Sequence, residues 1–244
     1  MNAPLFGVDP LGPPVLALQE WPAQKAWSYS AVSSHSRCPL SVRFRKIDRY
    51  TEPKSEAMER GTRIHANLAH YIGSGDFPED SMADAYAAWI PTLDALRAQG
   101  ATPEHQLAFT KEWAMTEWFG SGAWLRVIFD AIAFDPITQR VTVYEHKTGK
   151  SYPEHAQQMR LYCLAALRMF PQAHDARCVI HYIDKGPDRC PELVLQRSVL
   201  DDLTKEFLDF SQELLNDTIY PARPGPHCNW CAFKKSAGGP CAYG

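Results

Sequence analysis

Long apolar runs are missing from this chain of 244 residues. A spanning helix needs an unbroken apolar stretch of about 18 residues or more, and none exists, so no membrane span is expected. The opening segment MNAPLFGVDPLGPPVLALQEW carries no basic residues ahead of its apolar ones, which is not the pattern of a secretory leader. Internal repeats and low-complexity blocks are also absent, so neither a solenoid nor a disordered tract is expected. Nor is there a large excess of one charge. The formal net charge of -3 argues against a chain that coats nucleic acid by bulk electrostatics, while leaving room for a local basic groove. Together these absences lead us to expect a soluble, cytoplasmic protein. What is present is 45% hydrophobic and 11% aromatic residues, enough for one sizeable core. Seven cysteines, an odd number without a secretion signal, suit free thiols or metal ligands better than a disulfide framework.

The first 26 residues are rich in proline and glycine without a period, and read as an arm. Ser28 or Ser30 suits the cap of a short helix that carries Cys38 near its end, ahead of Pro39. Met58, Ile64, Leu68 and Ile72 follow helical spacing behind Ser55, and a second helix is expected from about Ser81 to Ala98. The period then changes. HQLAFTKEW, AWLRVIFDAIAFD and RVTVYEHK predict three strands, the last two joined by the turn-rich DPITQ. A helix between Pro153 and Pro171 follows, then strands near RCVIHYID and ELVLQRS, and a helix over LDDLTKEFLDFSQELLN. The tail YPARPGPHCNWCAFKKSAGGPCAYG reads as loop.

Chemistry concentrates in VYEHKTGK, Val143 to Lys150. Strand alternation puts Glu145 and Lys147 on one face and His146 on the other. On the preceding strand, Asp130 interrupts a run otherwise suited to a core. A buried carboxylate left unpaired costs several kcal/mol, so Asp130 needs a cation nearby. Two carboxylates on neighbouring strands, with a lysine two residues past the second, make a hard oxygen site for Mg²⁺ or Mn²⁺, and the His146 carbonyl could complete its inner shell. The alternative is a surface pair of Lys147 and Glu145 on an edge strand.

Asp130 with EHK, followed by a helix bearing QMRLY (Gln158 to Tyr162) and preceded by one bearing GTRIH (Gly61 to His65), resembles the RecB-type branch of the PD-(D/E)XK nuclease superfamily. The likeness runs from about Trp27 to the end. It implies an α/β fold, a restriction-endonuclease-like mixed sheet core flanked by helices, with a helical N-terminal subdomain and a C-terminal cysteine cluster. The boundaries that follow are 1–26 for the arm, 27–100 for the helical subdomain, 101–220 for the nuclease core and 221–244 for the cysteine segment. The resemblance further implies that Asp130, Glu145 and His65 bind the catalytic metal and that Lys147 is the catalytic lysine. Gln158 and Tyr162 match the Q-x-x-x-Y motif beside the site, and Glu104, just before the first strand, matches an accessory acidic position. The implied reaction is Mg²⁺- or Mn²⁺-dependent hydrolysis of DNA, with exonuclease action on single-stranded ends in recombination or repair, beside a helicase or recombination partner that the sequence does not name. The chain departs from the family in lacking the proline that names it, and Val127 and Ile128 stand where a glycine often precedes the aspartate. Two other readings are a catalytically spent DNA-end-binding protein and a zinc-binding structural module. The second leaves Asp130, Glu145 and Lys147 unexplained.

Cys228, Cys231 and Cys241 form a second constellation that needs a fourth ligand. Cys38 resembles the lone N-terminal cysteine of RecB-type nucleases whose termini are clamped by a 4Fe-4S cluster, as in CRISPR-associated and AddB-like members. A staple closing so long a loop removes roughly 4 to 5 kcal/mol of unfolded-state entropy in the chain-entropy model. Zinc is the competing metal, with His227 or Cys190 able to replace Cys38. Cys163 and Cys178 read as core. A basic run through Arg37, Arg43, Arg45, Lys46 and Arg49, continued by Lys54, Arg60 and Arg63, suits phosphate contacts, as do Lys234 and Lys235. Tyr29, Phe44, Tyr50 and Trp230 lie near enough in sequence to stack on unpaired bases.

Overall fold

The computed structural model describes residues 19–53, 55–79 and 83–243; most of the expected arm, Lys54 and the start of the second expected helix lie outside these. The Ser28 hydroxyl accepts the Ala31 N–H and starts α1 (Tyr29–Arg37). Cys38 ends α1 in an extended conformation and immediately begins α2 (Pro39–Lys46). The sequence reading stopped at Pro39, but a proline in the first helical turn forfeits no intrahelical hydrogen bond, so the chain restarts there. Cys38 therefore occupies the corner between two helices. Helix α3 (Glu56–Ser74) is capped by Ser55, which accepts the Met58 N–H, and stops at Gly75 with φ 97°. Ile64, Leu68, Tyr71 and Ile72 form its buried stripe, whereas Met58, expected there, is 49% exposed. The second expected helix divides into a tight 3₁₀ segment, Ala83–Trp89, and α4 (Ile90–Ala98), which has a proline in its first turn.

Among the described residues six strands make one sheet: β1 (Thr102–Phe109), β2 (Met115–Thr116), β3 (Leu125–Asp135), β4 (Arg140–Lys147), β5 (Asp175–Tyr182) and β6 (Glu192–Gln196). Their spatial order is β2-β1-β3-β4-β5-β6. Only β4 and β5 run parallel, joined by the crossover helix α5 (Glu154–Met169); every other pair is antiparallel. Helix α6 (Leu200–Asn216) follows β6. This is the mixed sheet flanked by helices that was expected, with β2 as an addition too short to carry a period.

Each face of the sheet buries its own core. Under α1, α2, α5 and α6 lie Trp27, Val32, Val42, Phe129, Val143, Leu161 and Phe207; under α3 and α4 lie Ile64, Leu68, Trp89, Leu93, Ala131 and Tyr144. Full burial of each such large side chain contributes roughly 1.5–3 kcal/mol. The helices of residues 27–100 are thus divided between the two faces. The chain ends are tied as well. Trp21 N–H donates to Thr218 O at 2.7 Å, Leu40 N–H to Pro221 O at 3.3 Å, and His35 Nε2 meets the Asp217 carboxylate at 2.7 Å. Among the described residues no helix is long and apolar enough to cross a membrane.

Strand β3 breaks its alternation at Asp130, and this break positions the site. Val127 and Phe129 pack into the α5-side core and Ala131 into the α3-side core, yet Ile132 returns to the α5 side. The β3–β4 ladder ends at Ala131 and Tyr144. Beyond it the His146 N–H donates to the Asp130 carboxylate at 2.6 Å. A side chain has taken the place of a ladder carbonyl, opening the sheet between the two strands.

Candidate active site

Helix α3 approaches this opening from one face and α5 from the other. From α3, His65 Nδ1 lies 2.9 Å from Asp130 Oδ1. From α5, Gln158 Nε2 donates to Glu145 Oε1 at 3.0 Å and to the Tyr162 hydroxyl at 2.9 Å, since i and i+4 share one helix face. Lys147 Nζ sits 2.5 Å from Glu145 Oε1, on the same side of β4 as alternation requires. The pair is no surface contact, because Glu145 is only 5% exposed. The structure thus brings His65, Asp130, Glu145, Lys147, Gln158 and Tyr162 together. His146 contributes its N–H, while its ring is buried behind the strand, stacked on His181.

Glu104 joins the group from β1. Its expected place was just ahead of the strand; the strand in fact begins at Thr102 and includes it. Glu104 adopts φ 46°, a left-handed conformation uncommon for a residue with a side chain, and costing on the order of 1–3 kcal/mol. Ligand atoms of His65, Glu104 and Asp130 all lie within 4.8 Å of one another. Two carboxylates and an imidazole at this spacing offer hard oxygen and nitrogen donors suited to a divalent cation.

The electrostatics are those of crowded, desolvated acids. Burial, then the neighbouring Asp130 charge, raises Glu145 to about 7 despite Lys147 at its side. Burial works against ionised Asp130, but the hydrogen bond from His65 and the nearby imidazoles hold its carboxyl below the usual range. Glu104 is raised by burial and by Asp130. His65 loses to burial and gains more from Asp130, so its pKa rises. His146, fully enclosed, is lowered to about 4 by burial. A bound cation would reverse this pattern by favouring every ionised carboxylate.

One supporting residue had no signal in the sequence. Asp184, beyond β5, accepts both Arg60 nitrogens, at 2.5 and 3.2 Å, and the Gly149 N–H at 2.7 Å, tying α3 to the turn that follows Lys147. Arg60 is therefore occupied. Arg43 and Arg45 are likewise paired with Asp48 and Glu52, while Arg37, Lys46 and Arg63 are exposed. Phe44, expected to be available for stacking, is buried against Phe233.

Cys38, Cys228, Cys231 and Cys241 line one cavity of about 400 Å³, together with His227. Burial, and then the other three thiols, push the Cys231 thiol up. No three of these sulfurs meet the 4.8 Å spacing of the carboxylate site. Cys190 is elsewhere, its thiol donating to Pro187 O and its body against the α3–α4 core, so it is no substitute ligand. Cys163 and Cys178 are buried core residues, as expected.

Comparison with known proteins gives three findings. No curated protein matches. Among solved structures, the crystal structure of SSO0001 is similar at 18% identity and a TM-score of 0.42, covering 90% of this chain and 87% of that one. A candidate exonuclease from Eubacterium rectale is similar at 11% identity and a TM-score of 0.49, covering 88% and 87%. The family model of the PD-(D/E)XK nuclease superfamily matches residues 26–236, most of the chain. The chain belongs to the PD-(D/E)XK nuclease superfamily.

Proposed function

We propose that this nuclease is a RecB-type, Mg²⁺- or Mn²⁺-dependent exonuclease that shortens single-stranded DNA ends in recombination or repair. The observation that carries the reading is that Glu145, paired with Lys147, lies close enough to Asp130 to feel its charge, while the ligand atoms of Asp130, His65 and Glu104 all fall within 4.8 Å of one another. Asp130, Glu145 and His65 are the proposed ligands, Glu104 an accessory one, and the His146 carbonyl a further oxygen. A divalent cation, when bound there, supplies Lewis-acid polarisation of phosphate and a lower pKa for water. Lys147 orients the attacking water and offsets charge developing on the phosphate oxygens. Gln158 holds the Glu145 carboxylate, and Tyr162 holds Gln158, so both act by positioning. This Gln158–Tyr162 pair is also what favours the RecB-type branch. Residues 101–220 are the proposed nuclease core.

A 4Fe-4S cluster held by Cys38, Cys228, Cys231 and Cys241 is the proposed staple. Tetrahedral zinc with Zn–S bonds of about 2.3 Å draws its sulfurs to about 3.8 Å apart. Four thiols lining one cavity suit either centre, and the metal content of the purified protein decides between them.

The test is digestion of end-labelled single-stranded and blunt duplex DNA with Mg²⁺, Mn²⁺ or chelator. Progressive shortening with either metal, lost with chelator, is expected. No cleavage with any divalent metal, or cleavage that persists in chelator, refutes the reading.

A further inference from the structure

A cavity of about 690 Å³ opens between α1, α2, the loop ahead of β3 and α5, and one of its walls is Gln158 and Tyr162. Gln158 also donates to Glu145, so the cavity lies beside the carboxylate site, with this side chain between them. Its charge is one-sided. Lys25, Lys46 and Arg126 line it, and among the described residues no carboxylate does, in a chain whose net charge is -3. Lys25 and Lys46 are exposed, and Lys46, unlike Arg43 and Arg45 on the same helix, has no carboxylate partner among the described residues.

Aromatic faces sit between these cations, held before any ligand arrives. Arg126 Nε donates to the Trp118 carbonyl at 2.8 Å, and its guanidinium lies 5.8 Å from the centre of the Trp118 ring. Tyr29 is fixed by its hydroxyl bond to Glu154 O and by stacking on Phe210 at 5.8 Å. Fixed rings interleaved with unpaired cations make a platform for a single nucleic-acid strand, since a base face is free to stack only when the base is unpaired. A duplex would present its phosphates to such a cavity but keep its base faces inside.

We infer that this cavity seats the nucleotides flanking the scissile phosphate of a single DNA strand, with Lys25 and Lys46 on phosphates and Trp118 stacked on a base. The inference rests on the nuclease reading of the neighbouring site. Arg126 acts by holding Trp118. The earlier basic path through Arg43, Arg45 and Arg60 is replaced, and only Lys46 is kept from it.

Binding is measured by fluorescence anisotropy in chelator across a salt series, using a labelled single strand and the same sequence as duplex. Lys46→Ala, a truncation at an exposed position, should reduce the salt slope for the single strand by about 0.7. Trp118→Ala should weaken single-strand binding by about tenfold, and Trp118→Phe should recover most of it. Duplex binding should change little with Trp118→Ala, because paired bases do not stack there. Unchanged affinity and slope with Lys46→Ala and Trp118→Ala, or equal losses on strand and duplex with Trp118→Ala, overturn the inference. Hydrolysis of an activated aryl phosphodiester with Mn²⁺ separates this result from the chemistry, because so small a substrate does not need the cavity. Wild-type rates in both variants support the inference; wild-type protein inert on both DNA and the diester strikes the nuclease reading alone.

Discussion

Replacing Asp130 by asparagine or by alanine separates its two roles, as carboxylate and as acceptor. It is 7% exposed and accepts two hydrogen bonds, from His65 at 2.9 Å and from the His146 N–H at 2.6 Å. Alanine deletes both acceptors at once. The buried His146 N–H left without a partner costs about 1–3 kcal/mol, whereas His65, with its side chain 31% exposed, can turn to water. Removing a carboxylate that is itself costly to bury offsets part of this. A net loss of about 1 kcal/mol lowers the Tm of a chain this size by about 2–4 °C. Asparagine keeps an oxygen for the His146 N–H and offers an N–H to His65 Nδ1 once the imidazole moves its proton to Nε2, so its fold should melt near the wild-type temperature. Both variants lose the charge. Cleavage should therefore fall in both by more than the roughly 10–100-fold penalty typical of a residue that only supports a ligand. Thermal melting followed by circular dichroism, beside digestion of an end-labelled strand, reads the two effects separately. Wild-type turnover by Asp130→Asn would remove Asp130 from the site, and equal melting of the two variants would contradict the hydrogen-bond argument.

The elements that sequence revealed were those with a period and a cap. Helix α3 was legible because Ser55 and the stripe from Ile64 to Ile72 agree, and β4 because its alternation runs unbroken to Lys147. Helix α2 was not, since a proline after a cysteine reads as a stop until tertiary contacts show a second helix behind it. The site residues were legible as types in order, but their meeting depends on the break at Asp130. That break appears only when the packing of Phe129, Ala131 and Ile132 is compared across the two cores. The arginines show where local reading could have gone further. The partners of Arg43 and Arg45 lie five and seven residues away, within reach of charge patterning, whereas that of Arg60 lies 124 residues away and is set by the fold. Glu104 was weighed only as an accessory residue because nothing in TPEHQ signals a left-handed residue inside a strand.

Gln158→Ala frees both Glu145 and Tyr162 and should lower cleavage roughly 10–100-fold, whereas Tyr162→Phe, which spares the Gln158–Glu145 bond, should cost less; equal rates for wild type and Gln158→Ala would remove the positioning role. Cys38→Ser should bleach the broad visible absorption of anaerobically purified protein and release iron, yet leave the termini joined through Leu40, Pro221, His35 and Asp217. Full retention of iron would break the proposed staple, and a colourless wild type holding one zinc would select the alternative metal. Arg43→Ala with Arg45→Ala should leave the salt slope of DNA binding unchanged because both are paired internally, and a clear drop would return them to the strand path. The acid limb of stability should be set partly by His181, which burial, then His146 and Arg177, lower to about 3 from 6.5. As pH falls through 6.5 the unfolded chain takes a proton that the folded chain refuses until about 3, so the unfolded state binds more protons and folding weakens across that window. One such group contributes a slope of roughly 1.4 kcal/mol per pH unit. His181→Phe carries no proton, keeps an aromatic ring against Trp89 and Tyr144, and sacrifices no bond at Nδ1, which has no partner. Urea unfolding from neutral pH down to about 5 should therefore show the variant losing less stability than wild type by about that slope. Parallel curves would mean that His181 takes up its proton equally in both states and that the enclosure described for it is wrong.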